Sequence, residues 1–386
     1  MDTRLLWLAL GAFAGSVESS LVVIVMPDVA AEMGIGLGEA GWLIFVYSIA
    51  YGVGTPVLST LLGRVDRRTV VAGAEMVFGL MALLFGLLPQ FFMLLAARTI
   101  LAFGAGTFTS TAQSTAVALA APGRRGRAIS TVLLGGSIAI AAGVPLAALA
   151  TNILGWRVAY IGLGVVGMLA AAIMWLRLPG DIHGDRRTLR ERLSVLRVPG
   201  IPMTLLASGL YVFGTFTFFN YLPAVATGLM GLDRALMPVV MLMFGVGSLL
   251  GTQFSGRLCD RYGARPTALI IVGVGVVLLA GLPMLALLPE GLRGPAFFGY
   301  MGLYGIITWG LAPPQIHMLA ALSPQSMQLS ASLNLTCGNL GAAASALLGG
   351  VVLEHLGIAW LGPCGAIAVV AAMVAYWFAP QGQHTG

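Results

Sequence analysis

The chain has 386 residues, of which 58% are hydrophobic and 9% charged. A soluble domain carries roughly a quarter of its residues as charged side chains, so this composition excludes a soluble fold and requires a lipid-facing surface. The formal net charge of +6 is spread in short arginine clusters between apolar runs, which does not indicate a nucleic-acid partner. Segments that cross the bilayer are expected to be helical, because hydrocarbon cannot satisfy an open backbone.

Twelve apolar runs are each long enough to cross a bilayer, which takes about 20 residues of helix. They lie at 5–26, 41–62, 69–88, 91–120, 128–150, 158–176, 201–225, 236–254, 266–288, 296–322, 327–352 and 358–378. The gaps between them are short, so consecutive helices are predicted to be antiparallel neighbours. The sequence therefore predicts an all-α integral membrane protein with twelve transmembrane helices.

One longer gap follows the sixth run and divides the chain into six plus six helices. We predict an N-terminal six-helix bundle over 1–176 and a C-terminal six-helix bundle over 201–386. The linker over 177–200 has leucines at helical spacing among arginines, which indicates a cytoplasmic amphipathic helix along the inner headgroups. A solvated tether is the alternative.

Arginine placement predicts the orientation of these helices, because cytoplasmic loops carry the excess of basic residues. Sixteen of the 20 arginines fall on the side that also holds both termini. Arg157, Arg234 and Arg293 fall on the opposite side, and Arg98 lies within the fourth run. Both termini are therefore predicted to be cytoplasmic.

A signature segment at 256–265 reads G-x-L-x-D-R-x-G-x-R, and residues 59–68 form a degenerate copy. Aligning Asp260 with Gly63 and Arg265 with Arg68 gives one offset, 260 − 63 = 265 − 68 = 197, close to half the chain. The pattern resembles the cytoplasmic loop signature of the major facilitator superfamily of transporters. The resemblance implies two pseudo-symmetric six-helix bundles and assigns conformational loop motifs to Arg64, Arg67, Arg68, Gly256, Asp260, Arg261, Gly263 and Arg265.

Seven further motifs occur in chain order, at Pro122-Gly123-Arg124-Arg125-Gly126-Arg127-Ala128, Gly143-Val144-Pro145-Leu146, Gly155-Trp156-Arg157, Trp309-Gly310, Pro313-Pro314-Gln315, Ser332-Leu333-Asn334 and Asn339-Leu340-Gly341. Together they resemble segments of drug:proton antiporters with twelve spans, and most closely those of the sugar-efflux (arabinose efflux permease) branch. Gly143 and Pro145 are predicted to bend the fifth helix, because proline removes a backbone hydrogen bond. The prolines at 313 and 314 are predicted to break the tenth.

The chain departs from the family pattern at three positions. Ser59 stands where the family favours Gly, Gly63 where it favours Asp, and Ala147 where many antiporters have a second Gly. The resemblance implies that this Asp holds the two bundles together at the cytoplasmic face. In this chain that contact is therefore expected to depend more on Asp260 and Arg261.

Two charged residues inside predicted helices need a reason, because a charge at the bilayer centre is unfavourable by roughly 2.5–3.5 kcal/mol. Counting along the helices places Glu18 roughly 13 Å and Arg98 roughly 10 Å from the outer ends of their helices. The resemblance implies that the first and fourth helices line a central cavity, so a contact is expected. We predict that Glu18 couples proton movement to substrate movement, and that Arg98 sets how readily Glu18 holds or releases its proton. A permanent ion pair that only orients two helices is the alternative.

Other polar residues inside the runs are weaker candidates. Glu75 in the third run could snorkel to the nearby cytoplasmic end, and His317 in the tenth could relay protons. The predicted substrate cavity contains Asn220, Tyr221, Trp309, Gln315, His317 and Asn334.

The predicted function is proton-coupled efflux of a small molecule, sugar-like or a drug, by alternating access. An importer or facilitator of a small nutrient without proton coupling is the alternative. The sequence contains no nucleophile–base pair, metal-ligand spacing or phosphate-binding loop. We therefore expect no enzymatic activity, no bound metal and no cofactor. The resemblance further implies a monomer in a bacterial inner membrane, with the lipid bilayer, protons and the substrate as partners.

Overall fold

The computed structural model describes residues 3–121, 124–182 and 189–379, without the side chains of residues 189, 190, 192 and 328. These residues form helices and connecting turns and contain no strand. We number the long helices after the predicted runs. They are α1 Arg4–Met33, α2 Trp42–Leu61, α3 Arg67–Leu87, α4 Phe91–Leu119, α5 Arg125–Leu154, α6 Trp156–Arg177, α7 Ile201–Phe219, α8 Met237–Tyr262, α9 Ala264–Leu285, α10 Glu290–Gly310 with Ala312–Leu322, α11 Met327–His355 and α12 Leu361–Phe378.

Eleven helical stretches in the described residues are long and apolar enough to cross a membrane. The remaining predicted run is α10, which is interrupted at Leu311. Pro313 and Pro314 follow this interruption, and neither can donate the backbone hydrogen bond that would continue the helix. The predicted all-α fold with twelve long helices is confirmed, as is the break in the tenth.

Two helices extend beyond their predicted ends. The first helix continues to Met33 through Pro27, well past residue 26. The eighth helix continues to Tyr262, so Gly256, Asp260 and Arg261 lie in its last turns. The expectation that this whole signature forms a loop is therefore wrong. The chain turns only at Gly263, whose φ of +87° favours glycine.

The chain forms two compact units. One consists of Met1–Gly34 and Val46–Leu189, and the other of Ile35–Phe45 and Arg190–Gly386. Helices α1 and α3–α6 thus belong to the first unit and α7–α12 to the second, while the start of α2 belongs to the second unit. Within the predicted linker, Leu189–Ser194 form a short helix, and residues 183–188 lie outside the described residues. The bundle boundaries and the interfacial position of the linker stay predictions.

Glycines allow helices within each unit to approach one another closely. A Cβ added to Gly79 of α3 would lie 2.8 Å from the carbonyl oxygen of Gly164 in α6. In the second unit, a Cβ on Gly214 of α7 would collide with Gly365 of α12. Small residues at such contacts are typical of membrane helices, because van der Waals packing replaces the hydrophobic effect there.

The contact between α1 and α5 gives the first prediction. A Cβ at Gly135 of α5 would collide with the backbone of Ala9, whereas one at Gly162 of α6 meets nothing within 4 Å. We expect Gly135→Ala to lower the midpoint of thermal unfolding in detergent by roughly 2–10 °C, because overpacking is destabilising by about 1–3 kcal/mol. Gly162→Ala is the matched control and should leave the midpoint unchanged or slightly raised. Equal midpoints for the two variants would contradict this packing.

Candidate functional site

A buried ion pair joins α1 and α4 in the first unit. Arg98 Nη1 donates to Glu18 Oε1, and the two side chains are only 1% and 0% exposed. The contact expected from their depths is therefore present. The role of the pair in proton coupling stays a prediction.

Tyr160 of α6 completes the site as a third partner. Arg98 Nη1 donates to the Tyr160 hydroxyl at 3.1 Å, and that hydroxyl donates to Glu18 Oε1 at 3.3 Å. Both donors thus converge on one carboxylate oxygen. The other oxygen, Glu18 Oε2, is buried and has no hydrogen-bond partner in the described part of the chain. The arrangement compensates the negative charge while leaving one oxygen unoccupied.

Aromatic rings surround the guanidinium of Arg98. Its Cζ lies 4.7 Å from the ring centroid of Tyr47 in α2 and 6.0 Å from that of Phe85 in α3. The Phe85 ring in turn packs against Tyr160, with centroids 4.4 Å apart. Such contacts stabilise a buried cation and exclude water from the pair. Helices α1, α2, α3, α4 and α6 therefore all contribute to one site.

Sequence reasoning missed Tyr160, Tyr47 and Phe85. One signal for Tyr160 was available, because it follows Trp156 of the Gly155-Trp156-Arg157 motif by four residues and so lies on the same helix face. Tyr47 and Phe85 stand in apolar runs, where nothing distinguishes them from packing residues.

The bend motif of α5 lies beside the same stretch of α1. Residues Ala139–Gly143 form a π-helical segment, and Pro145 lies in the first turn of the α-helical stretch Val144–Leu154 that follows. A Cβ at Gly143 would lie 2.6 Å from Val17 Cγ2, next to Glu18 in the chain. Gly143 and Pro145 therefore mark a change in helix geometry where α5 packs against the part of α1 that carries Glu18.

A second polar cluster ties together the helix ends remote from the arginine-rich loops. Arg157 donates to Glu32 Oε1 through Nη2 at 2.7 Å and Nε at 2.9 Å, and Trp156 Nε1 donates to Glu32 Oε2 at 2.8 Å. Arg157 Nη1 also donates to the carbonyl oxygens of Gly86 and Leu88, each at 3.0 Å. The cluster fixes the ends of α1, α3 and α6. Glu32 was not singled out in the sequence.

The degenerate signature copy is bonded to neighbouring segments of the first unit. Arg67 Nη1 donates to the Ser114 carbonyl oxygen of α4 at 2.6 Å, and the Arg67 backbone N–H donates to the Ile182 carbonyl oxygen at 2.8 Å. Asp66 Oδ1 accepts from the Ile182 N–H at 3.0 Å. Arg64 is exposed. This copy therefore holds the start of α3 against α4 and the segment after α6.

The aligned arginines Arg68 and Arg265 make equivalent contacts in the two units. The Arg68 guanidinium lies 4.6 Å from the Trp175 ring of α6, and that of Arg265 lies 5.8 Å from the Trp377 ring of α12. The arginines are 265 − 68 = 197 residues apart and the tryptophans 377 − 175 = 202. Each stacked pair thus joins the third helix of its half to the sixth, which supports the internal repeat.

The remaining residues of the second signature are solvent-accessible. Asp260 is exposed and makes no hydrogen bond or ion pair with the residues that the structure describes, and Arg261 stacks on its neighbour Tyr262 at 5.2 Å. Gly256 lies within α8 and Gly263 forms the turn. The conformational role of these residues stays a prediction.

Two of the predicted cavity residues meet in the second unit. Asn334 Nδ2 of α11 donates to Gln315 Oε1 of α10 at 3.4 Å, and Gln315 Nε2 donates to the Tyr376 hydroxyl of α12 at 2.6 Å. Asn334 Oδ1 is buried without a hydrogen-bond partner among the described residues. Tyr376 was not predicted from the sequence. The cluster is neutral and retains one free acceptor.

The other predicted cavity residues are separate from this cluster. Asn220 Nδ2 donates to Ser345 Oγ at 2.9 Å, and the Tyr221 hydroxyl donates to the Ala346 carbonyl oxygen at 2.7 Å, so both connect the end of α7 to α11. Trp309 is 40% exposed. His317 is exposed and makes no hydrogen bond within the described ranges. Contact of these residues with substrate stays a prediction.

Glu75 of α3 is the other buried carboxyl group, beside Glu18, in the part of the chain that the structure describes. It is 1% exposed, and its Oε1 has no hydrogen-bond partner in the described residues. The side chain therefore does not reach the helix end by snorkelling, which was one possibility from the sequence, and a part for Glu75 in proton transfer stays a prediction. Among the described residues, no group of three or more His, Cys, Asp or Glu could hold a metal ion.

Comparison with known sequences identifies the family. The sequence model of the Major Facilitator Superfamily matches residues 8–341. The chain belongs to the Major Facilitator Superfamily. It is thus a multi-pass membrane transporter and not an enzyme. A superfamily member binds a small molecule and works in the lipid bilayer, so its intramembrane polar groups are candidates for substrate or ion contact.

Several relatives in this superfamily match almost the whole chain. The chain is 28% identical over 379 residues to the uncharacterized MFS-type transporter YbcL of Bacillus subtilis, covering 97% of this chain and 96% of the relative. It is 29% identical over 386 residues to a chloramphenicol resistance protein of Streptomyces lividans, covering 98% and 96%. A third relative, the inner membrane transport protein YdhP of Escherichia coli K12, is 26% identical over 383 residues, covering 98% and 96%.

A solved structure has the same fold. A bacterial homologue of the human lysosomal transporter Spinster, crystallised in an inward-facing and occupied conformation, aligns with a TM-score of 0.73 at 18% identity. The alignment covers 97% of this chain and 96% of the other.

The buried ion pair gives a prediction on stability. We expect Arg98→Met alone to be destabilising by about 3–5 kcal/mol, because it leaves the buried Glu18 without its counter-ion. The double variant Glu18→Leu with Arg98→Met should recover most of that loss, since two apolar side chains need no compensation. Thermal unfolding of the purified variants measures both effects. Strictly additive losses would show that the two residues do not interact.

Proposed function

We propose that this transporter exports a small neutral molecule in exchange for protons, and that Glu18 carries the exchanged proton. The observation that supports this most strongly is the unpartnered Oε2 of a fully buried Glu18 whose other oxygen is bonded to Arg98 and Tyr160. An intramembrane carboxyl group of this kind is expected to have a function.

The geometry suggests how a proton would change the site. Oε2 can accept a proton without first breaking the contacts of Oε1. Protonation then removes the negative charge that compensates Arg98 and leaves the buried guanidinium without that counter-charge. That state favours a conformation in which Arg98 meets water, whereas the substrate binds the deprotonated form, so that proton and substrate exclude each other. Loss of the proton restores the ion pair, so proton binding and conformation are coupled.

A neutral substrate suits the charges of the two units. The Glu18–Arg98 pair has no net charge, and the Gln315–Asn334–Tyr376 cluster offers amide and phenol groups only. The similarity to a chloramphenicol resistance protein supports an amphenicol-type drug, and the motifs of the sugar-efflux branch support a sugar-like compound. Both classes are neutral and carry hydroxyl groups that could donate to the free Asn334 Oδ1.

We further propose that the arginine-rich helix ends and both termini face the cytoplasm of a bacterial inner membrane, and that the transporter is a monomer. The excess of arginines on that side supports the orientation. Protons then enter from the outside and leave at the arginine-rich ends. With one proton per neutral substrate, a potential of 100 mV contributes about 2.3 kcal/mol to export.

One observation favours the facilitator alternative. The contacts among Glu18, Arg98 and Tyr160 join α1, α4 and α6, so they could serve solely to fix these helices. Transport would then proceed without proton movement.

The test uses everted membrane vesicles with an imposed pH gradient reported by a quenched acridine dye. Chloramphenicol, arabinose and tetraphenylphosphonium are added in turn. We expect chloramphenicol or arabinose to relieve the quenching with the wild type and to have no effect with Glu18→Gln, which keeps the shape of the side chain but cannot release a proton. Tetraphenylphosphonium is a cation and should leave the quenching unchanged. The control is Glu39→Gln, the same change at an exposed carboxyl group, and it should respond like the wild type.

Two results would contradict the proposal. A full dye response with Glu18→Gln would exclude Glu18 as the proton carrier. Uptake of a radiolabelled probe by the wild type without any dye response would favour the facilitator.

A further inference from the structure

We infer that Glu75 is a second proton-carrying site, so that each transport cycle exchanges two protons. The inference rests on the proposed proton-coupled export and extends it to a residue in a different helix. Three observations carry it: the burial of Glu75 without a partner, the lack of an ion pair between Glu75 and any charged side chain of the described residues, and its depth between Glu18 and the arginine-rich helix ends.

The surroundings of Glu75 accept only the neutral acid. The side chain is 1% exposed, Oε1 has no hydrogen-bond partner, and no ion pair reaches it from the described residues. An ionised carboxylate buried without compensation is so unfavourable that the group takes up a proton instead. Glu75 therefore holds a proton in the conformation of this structure.

The helices packed against α3 supply no counter-charge to Glu75. These are α4 and α6, and their ionisable side chains are bonded elsewhere or exposed. Arg98 and Tyr160 contact Glu18, Arg157 contacts Glu32, and Arg177 is exposed. On α3 itself, Arg67 contacts Ser114, and Arg68 stacks on Trp175 with its buried Nε unpartnered among the described residues; Arg68 precedes Glu75 by seven residues and forms no ion pair with it. Glu75 is thus not part of a structural ion pair, which is the usual reason for a buried carboxyl group.

Close helix packing separates Glu75 from water. A Cβ at Gly104 of α4 would lie 2.8 Å from the Ala74 carbonyl oxygen and 3.0 Å from the Phe78 backbone nitrogen, so the two backbones almost touch at the helical turn that includes Glu75. A leucine at position 75 could fill the same buried volume without leaving a polar group unsatisfied, so packing alone does not explain a glutamate there. A buried polar group without a partner needs an explanation, and a change of environment during transport provides one.

The depth of Glu75 suits a proton on its way to the arginine-rich side. Glu75 follows Arg67 at the start of α3 by eight residues, or about 12 Å of helix, whereas Glu18 follows Arg4 by fourteen, or about 21 Å. Another unpartnered buried atom, Thr107 Oγ1, lies one turn beyond Gly104 on α4 and so near the level of Glu75. The first unit therefore has unpartnered polar atoms at more than one depth.

The experiment measures proton stoichiometry from the substrate gradient at steady state. Everted vesicles receive valinomycin and equal potassium on both sides, which removes the membrane potential, and pH gradients of several sizes. The radiolabelled probe is whichever of chloramphenicol and arabinose gave the dye response. Each exchanged proton contributes about a tenfold probe gradient per pH unit. We expect about 100-fold per pH unit for the wild type, about tenfold for Glu75→Gln and about 100-fold for Glu75→Asp, which keeps the acid.

The outcomes separate this inference from the proposal on which it rests. A wild-type gradient of about tenfold per pH unit overturns the second site and leaves Glu18 as the only proton carrier. A gradient of about 100-fold in both the wild type and Glu75→Gln also overturns it, because the second proton then binds elsewhere. Absence of any dye response overturns proton coupling as a whole. If Glu75→Gln does not reach the membrane, Glu75→Met replaces it in the same comparison.

Discussion

The desolvation of Glu18 and Arg98 is the constraint on which the rest of the first unit depends. Two full charges inside a helix bundle require each other, and they also require donors and rings that replace water. Tyr160, Tyr47 and Phe85 provide these contacts from three further helices. The close approach of the helices that carry them depends in turn on glycines without a Cβ. A change in the charge of the pair therefore affects several helices at once.

The two units share a repeat but differ in their buried chemistry. The Arg68–Trp175 and Arg265–Trp377 contacts are equivalent, and glycines mediate helix packing in both units. Among the described residues, however, the buried charged side chains all belong to the first unit, whereas the buried polar groups of the second are hydroxyls and amides. Under the proposed mechanism, the first unit would respond to protons and the second would offer neutral hydrogen-bonding groups to the substrate.

The helices could be predicted from the sequence because the length of an apolar run is set by bilayer thickness, which acts independently of tertiary structure. The contact between Glu18 and Arg98 could be predicted for a related reason, since two isolated charges at similar depth have few alternatives to pairing. Residues such as Tyr160 and Tyr376 could not, because a phenol in an apolar run looks like a packing residue until its partner is known. The end of α8 was misplaced because charged residues continue its helix into the headgroup region, where hydropathy no longer marks a boundary.

Proton release by the purified protein tests the link between substrate and Glu18 most directly. Chloramphenicol or another responding probe is added to the transporter in weakly buffered detergent solution with a pH dye, while equilibrium dialysis of the same sample measures binding. We predict that binding releases protons from the wild type and that Glu18→Gln, if it still binds, releases fewer. Binding to the wild type with no release of protons at any pH between about 5 and 8, the range in which native proteins are generally most stable, would contradict the coupling of substrate to a proton on Glu18.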